Sequence, residues 1–391
     1  MQLAHSHSQR PTLHLPHLLR AFPHIILSFI KRNAVLCIAI LAAAVTSLIV
    51  PPDAQYLSYL DGKTLCCLFS TLAVVCALKN IHFFQILARR IVRIAGNTRS
   101  ALVLLIVITF VGSMLIANDM ALLTFLPLGY YLLKSTGQEK LMAYTFILQN
   151  IAANLGGMLT PFGNPQNLYL YSHFSIPNGE FMSIMVLPFL LAVGMILLCC
   201  LLVRSERMTL LPEAEQTLPR GRTALYLALF AFSILLVFNF IPYYWLGLIV
   251  IPAVLLFADR DALRRVDYPL LLTFVCFFIF AGNMARIEPV RSFFASLLSG
   301  SVLLVSALSC QVISNVPSAI LLSQFTDNYR ELLLGVNIGG AGTLIASLAS
   351  LITLKEYLKH QPKGLKKYMI KFTLVNTSFL IILVIVTLLI R

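Results

Sequence analysis

Residues 154–168 read NLGGMLTPFGNPQNL and residues 337–351 read NIGGAGTLIASLASL, and the two align without a gap at a constant separation of 183 positions. Asn, Gly, Gly, Thr and Leu coincide, and Asn164 and Asn167 meet Ser347 and Ser350. Each stretch interrupts a long apolar run. Glycines and prolines there cannot continue a helix without losing backbone hydrogen bonds, so each run reads as a broken helix. Each is preceded by another apolar run with a polar centre, LIANDMALLTF (115–125) and VISNVPSAILL (312–322). Irregular backbone at such a centre is tolerated in a bilayer only inside protein or beside a water-filled cavity, which favours a re-entrant hairpin around each asparagine.

Working outward, the whole chain shares this apolar character. Of its 391 residues 59% are hydrophobic and 11% charged, against about 45–50% and about 25% for soluble domains. A soluble enzyme, a disordered chain and a secreted disulfide scaffold are excluded. The apolar runs continue from Asn33 to Ile390, so the chain reads as one polytopic membrane domain. Its 29 Lys and Arg against 15 Asp and Glu give +14. In a soluble chain that would suggest nucleic acid, but the basic residues sit in short connections, where the positive-inside rule and anionic lipid headgroups account for them.

A crossing helix needs about 20 apolar residues. Asn33–Val50 and Lys63–Phe84 supply the first two, and Arg89, Arg90, Arg93 and Arg99 return the chain to the cytoplasm. The tail, with Arg10, Arg20, Lys31 and Arg32, lies on the same side. Ser100–Leu133 is the first hairpin and Leu141–Tyr171 the first broken helix. Phe181–Val203 leads to the basic linker 204–222. Thr223–Ile241 and Tyr244–Ala258 run outward and inward, and Pro269–Ala285 outward again. Phe293–Phe325 is the second hairpin and Leu332–Leu354 the second broken helix. The lysine-rich loop Lys355–Lys371 is cytoplasmic, and Phe372–Ile390 crosses last. The organisation is a tail (1–32), a first repeat (33–203), the linker (204–222), a connecting helix (223–243) and a second repeat (244–391). The connecting helix inverts the second unit. The expected fold is an all-α polytopic membrane protein with two inverted-topology repeats, each with a re-entrant helical hairpin and a broken transmembrane helix.

Discontinuous helices meeting near the midplane of inverted repeats are the signature of secondary transporters. Helix N-termini offer N–H groups and a positive dipole end to an anion, and freed carbonyls can hold a cation. Asp119 is the only carboxylate deep in an expected membrane segment, where a charge is costly. It reads either as a proton or cation site or as a cap on the hairpin's second helix. Asn118 and Asn315 can cap a turn and also touch substrate. Thr160 and Thr343 coincide in the repeats, although a membrane threonine often bonds its own helix backbone.

At these residues the chain resembles the ion transporter superfamily. That group holds arsenite/antimonite permeases, NhaD-type Na+/H+ antiporters, citrate transporters and divalent-anion/sodium symporters, and the likeness is greatest to its YbiR-like anion permeases. ANDMALLTF with ANLGGMLTPFGNPQNL, and CQVISNVPSAILL with GVNIGGAGTLIASLASLITL, carry the resemblance over nearly the whole chain. In the symporter branch two Ser-Asn-Thr hairpin tips bind sodium and substrate with the unwound parts of two broken helices. By position the resemblance implies Ala117, Asn118 and Asp119, and Ser314, Asn315 and Val316, as the tips. The unwound segments are then Gly156, Gly157, Thr160, Gly163, Asn164 and Asn167, and Gly339, Gly340, Thr343, Ser347 and Ser350. Neither tip is Ser-Asn-Thr here, and Ser350 stands where the family usually has Asn. A sodium ion would sit near Asn118 and Asp119.

The expected function is therefore secondary active transport of a small inorganic or organic anion across the cytoplasmic membrane, coupled to H+ or Na+. A Na+/H+ antiporter is the alternative within transport. An intramembrane enzyme would need an interfacial catalytic cluster that the sequence lacks. No cofactor, metal-ligand cluster or nucleic-acid partner is expected; the partners are the anion and membrane lipids, and a homodimer is compatible with the resemblance. The eight cysteines, all within apolar runs and without CxxC spacing, read as reduced packing residues. His5, His7, His14, His17 and His24 fall in a basic tail at irregular spacing, which reads as disordered or interfacial. Arg286 and Glu288 are expected to meet the interface or each other.

Overall fold

The computed structural model describes residues 33–207 and 217–390, apart from the side chains of Ile91 and Val92. The histidine-containing tail and most of the basic linker lie outside the described residues. Among those described, the chain is helical, and the single bridge between extended residues joins Asn97 to Arg207.

The first half comprises α1 (Ala34–Ile49), α2 (Gly62–Asn80), α3 (Phe83–Val92), α4 (Thr98–Ile116), α5 (Asn118–Ser135), α6 (Met142–Gly156), α7 (Pro165–His173) and α8 (Asn178–Leu201). Then come α9 (Arg220–Val237), α10 (Leu246–Ala258), α11 (Tyr268–Arg286), α12 (Glu288–Gly300), α13 (Val302–Ile313), α14 (Asn315–Leu322), α15 (Tyr329–Ile338), α16 (Leu348–His360) and α17 (Leu365–Ile390). Six of these, α2, α4, α8, α9, α11 and α17, are long and apolar enough to cross a membrane, and the bent pair α12 and α13 makes a seventh if counted as one span. The protein is an integral multi-pass membrane protein.

Local chemistry sets the helix boundaries. Asp61 accepts from the Thr64 N–H (2.9 Å) to start α2, and Asn97 and Ser100 form a reciprocal capping box at α4. Asp267 and Pro269 start α11, Ser301 caps α13 and Asn328 caps α15. Pro165 opens α7, where its missing N–H costs nothing.

Packing sorts these helices into an inner and an outer set. α2 is mostly buried, whereas α8, α9 and α17 expose most of their apolar faces, as crossing helices against lipid do. α1 lies along α11, and α2 packs on α9 and α10. The other grouping is α4 to α7 with α13 to α16.

Two sequence expectations change. The stretch 293–325 is not two helices but three pieces: α12 turns by 120° into α13 at the Ser301 cap. The crossing begun at Lys63 stops at Asn80, because His82 takes a left-handed φ of 56° and starts α3 on a new axis.

Candidate functional site

α4 and α5 meet at Ala117 (φ 64°, ψ 152°), and α13 and α14 meet at Ser314 (φ 77°, ψ 158°). Positive φ on non-glycine residues is uncommon and marks an imposed geometry. The next residue is asparagine in both places, and its side chain does the same thing: Asn118 Oδ1 accepts from Asp119 N and Asn315 Oδ1 from Val316 N, each at 2.9 Å. No hydrogen bond from the Asp119 carboxylate caps α5. The turn is stabilised by Asn118, so the capping role expected as one reading of Asp119 is taken by its neighbour.

The breaks match in form, with the ending glycines one register apart in the alignment. α6 ends through Gly157 (φ −63°, ψ −11°) and α15 through Gly339 (φ −64°, ψ −15°). After each break an extended residue occupies the N-cap position of the next half, Asn164 (φ −136°, ψ 143°) before α7 and Ser347 (φ −148°, ψ 142°) before α16, and of the two only Ser347 accepts a capping bond, from Ala349 N. Close approach explains the glycines. A Cβ on Gly157 would lie 2.6 Å from the Gly163 carbonyl oxygen, and one on Gly156 would lie 2.5 Å from that of Phe110.

A network of amides and hydroxyls, without a charge, ties the two halves together. Asn154 Oδ1 accepts from Asn118 Nδ2 (3.0 Å) and from Ser347 Oγ (2.8 Å). Asn337 Nδ2 donates to Asn167 Oδ1 (2.6 Å) and Leu333 O (2.8 Å), while its Oδ1 accepts from Asn164 Nδ2 (3.4 Å) and Gln166 Nε2 (3.5 Å). Each break's asparagine thus bonds the residue capping the other half's second helix. Asn150 adds a bond to Ser350 (3.3 Å). All these residues are buried, so every bond forms where an unpaired polar group would be costly.

In front of this network lies a cavity of about 490 Å³. Four helix N-termini reach it: α5 through Asn118 and Asp119, α7 through Pro165 and Gln166, α14 through Asn315 to Pro317, and α16 through Ser347 and Leu348. The facing wall is apolar, with Ile38 and Ala42 of α1 and Phe277 and Phe280 of α11. Among the described residues, Asp119 is the one ionisable side chain lining it. Its Oδ1 is buried and has no hydrogen-bond partner.

Of the residues singled out from sequence, Asn118, Asp119, Ser314, Asn315 and Ser347 line this cavity. Asn164, Asn167 and Ser350 stand behind it in the amide network, and Gly156, Gly157, Gly163, Gly339 and Gly340 shape the breaks. Thr160 and Thr343 also lie away from it. Their hydroxyls donate to backbone carbonyls of the first helix of each tip, Thr160 to Met114 O of α4 (2.9 Å) and Thr343 to Gln311 O of α13 (3.0 Å). Asn154, Asn337, Gln166 and Gln311 escaped the sequence reading. The signal for Asn154 and Asn337 was present, since they are the first matched pair of the alignment. Nothing in the sequence marks α1 and α11 as a cavity wall.

At the periphery, Arg286 pairs with Asp53 (2.8 Å) and donates to Tyr59 Oη (3.0 Å), and not with Glu288, whose carboxylate takes the Ser292 hydroxyl. The Arg286 side-chain hydrogen bond holds the Asp53 carboxyl below its ordinary range. Glu180 pairs with Arg330 (2.6 Å) and accepts from Tyr329 Oη (2.8 Å).

The profile of the citrate transporter family, CitMHS, matches residues 24–328, from the tail through both pairs of tip helices. The chain belongs to the CitMHS family. Among its relatives are the uncharacterized transporter MJ0456 of Methanocaldococcus jannaschii, 31% identical over 75% of this chain and 81% of its own length, and the inner membrane protein YbiR of Escherichia coli, 28% identical over 76% and 80%. The silicon efflux transporter LSI3 of rice is 31% identical over a shorter stretch, 39% of this chain and 31% of its own. This CitMHS member is a membrane transporter.

Proposed function

We propose that the protein is a secondary active transporter of a small inorganic or organic anion, working by alternating access across the cytoplasmic membrane with its N-terminus inside. One observation carries this reading: four helix N-termini face a single cavity. Each turns the positive end of its helix dipole, roughly half a charge, toward the cavity, and in α5, α14 and α16 a side chain already holds one of the first N–H groups. Together they favour an anion without any arginine or lysine. The names of the family and of one relative concern citrate and silicon efflux, which keeps the substrate class broad.

The matched tips, matched breaks and matched sequences support two inverted-topology repeats with re-entrant hairpins. The amide ties between α6, α7, α15 and α16 support motion of these elements as one body against α1, α2 and α9 to α11, carrying the cavity with it. Asp119 supplies the coupling site. Ionised, it opposes a bound anion and offsets the helix dipoles; neutralised by a proton or cation, it admits the anion, so the two are transported together.

The test is uptake in proteoliposomes. Labelled anions, with citrate and silicate among them, are supplied under an imposed pH or Na+ gradient. Accumulation that an ionophore collapses supports the proposal. Na+-driven proton movement at full rate with no anion present supports an antiporter and sinks it.

A further inference from the structure

Backbone carbonyls of each break converge on one side-chain amide, with Ala307 O of the amide's own helix α13 completing the second set and Thr160 O in the first also accepting from Gly163 N. Asn167 Nδ2 donates to Gly157 O (3.1 Å), Met158 O (3.2 Å) and Thr160 O (3.3 Å). Gln311 Nε2 donates to Ala307 O (3.0 Å), Gly339 O (2.8 Å) and Ala341 O (3.1 Å). In both cases an NH2 group sits among three carbonyl oxygens of a broken helix and its neighbour.

The orientation of each amide is fixed by its other end. Asn167 Oδ1 accepts from Asn337 Nδ2 at 2.6 Å, and Gln311 Oε1 accepts from the Thr343 N–H at 2.8 Å. Reversing either amide would set oxygen against carbonyl oxygens and leave an N–H facing a donor. The distances also discriminate. Amide N–H groups hold oxygens near 2.9–3.0 Å, whereas a hard cation such as Ca2+ draws them in to about 2.3–2.6 Å. Both cages have the larger dimension. Carbonyls at membrane depth must be satisfied by a donor or a cation, and each amide supplies the donor covalently.

We propose that Asn167 and Gln311 are built-in substitutes for bound cations, so that neither broken helix holds Na+ and the transport cycle is independent of it. This rests on the transporter reading and narrows its coupling ion: Asp119, the one ionisable group among the described residues of the cavity, then couples transport through a proton. The two amides come from different places. Asn167 lies on the helix after the first break, whereas Gln311 lies on α13, before the second tip. The position matching Asn167 is Ser350 and the one matching Gln311 is Met114, so each half has its own solution.

The experiment is thermal unfolding of the purified full chain in NaCl against choline chloride at equal ionic strength, for the wild type, Gln311→Ala and Asn167→Ala. Ligand binding to the folded state alone raises the unfolding midpoint by mass action. The expected result is one midpoint for the wild type in both salts, and in either variant a lower midpoint that Na+ partly restores and choline does not. A Na+-specific rise in the wild type overturns the proposal. So does a lowered variant midpoint indifferent to Na+, because the vacated cage would then not be a cation position. If neither variant folds, the wild-type comparison still decides, together with anion uptake in Na+-free proteoliposomes, which is expected to equal that in Na+. Unfolding needs no transported substrate, so its outcome is separable from failure of the transport assay.

Discussion

Replacing Asn337 by alanine tests whether the amide network joins the two halves. Asn337 is 1% exposed and takes part in four hydrogen bonds. Alanine leaves Asn167 Oδ1 and Gln166 Nε2 without their partners, whereas Asn164 Nδ2 keeps its bond to Asn154 O at 3.0 Å. Two buried orphans at about 1–3 kcal/mol each give about 2–6 kcal/mol. Bilayer double-mutant cycles, averaging about 0.6 kcal/mol per bond, put a floor near 2 kcal/mol for four bonds. The two estimates meet at the lower end, so a loss of about 2–4 kcal/mol is expected. Thermal unfolding in detergent measures it, with cysteine accessibility across the cavity reporting whether the halves separate. A companion Asn337→Asp change keeps the shape but sets an acceptor against Asn167 Oδ1, and should lose at least as much. An Asn337→Ala midpoint within about a degree of the wild type would refute the reasoning, since about 2 kcal/mol moves the midpoint of a chain this large by several degrees.

Asp119→Asn should abolish the response of anion uptake to an imposed pH gradient in proteoliposomes while leaving the folded yield intact, because no hydrogen bond to the carboxylate is lost; unchanged coupling would remove Asp119 from the mechanism. Gly156→Ala places a Cβ 2.5 Å from a backbone oxygen that cannot move away, and Gly339→Ala places one 2.9 Å from Ala307 Cα. Each should cost about 1–3 kcal/mol, whereas Gly62→Ala, with open space around it, should be neutral by the same unfolding assay. The Asp53–Arg286 pair makes a pH-dependent contribution. With the folded carboxyl below its ordinary value of about 4, its stabilisation is present above that value and lost as pH falls through the lowered one. Asp53→Asn should therefore flatten the acid limb of the midpoint–pH curve, and a curve parallel to the wild type would count against the pair.

The membrane class and the order of elements were readable from sequence because they follow from apolar length and from residues that cannot continue a helix. The expected ends Asn33 and Val50 flank α1 directly, although α1, like α10, is shorter than the helices long enough to cross a membrane, and the polar centres mark the asparagine that follows each tip's positive-φ residue. What escaped depends on contacts between residues 170 to 200 positions apart. Asn154 and Ser347 are one such pair and Asn167 and Asn337 another, and no local pattern says that one amide finds the other. The bend between α12 and α13 was missed for a different reason. Ser301, capping Leu304 N at 3.3 Å, ends one helix and starts the next, and the Ser299-Gly300-Ser301 turn signal was passed over because long apolar stretches flank it on both sides.

Asparagines Asn118 and Asn315 make the same bond, yet the following residue is Asp119 in one tip and Val316 in the other. A symmetric pair of carboxylates in this cavity would oppose a bound anion twice and require two neutralising ions per cycle. One carboxylate offsets about half of the positive potential of four helix N-termini, and a single proton restores it. The valine lets the second tip contribute its dipole without a countercharge. The same division appears behind the cavity, where Gln311 serves the second break and Asn167 the first. The two tips share their backbone form and differ in the side chains beside them, and on the proposed reading those side chains decide what travels with the anion. Exchanging the two residues, as Asp119→Val with Val316→Asp, should therefore leave the proton requirement in place by returning one carboxylate to the opposite wall. Adding Val316→Asp alone should double the protons taken up per anion, read as the slope of accumulation against the imposed pH gradient. A slope unchanged by the second carboxylate would show that Asp119 acts by position and not by charge.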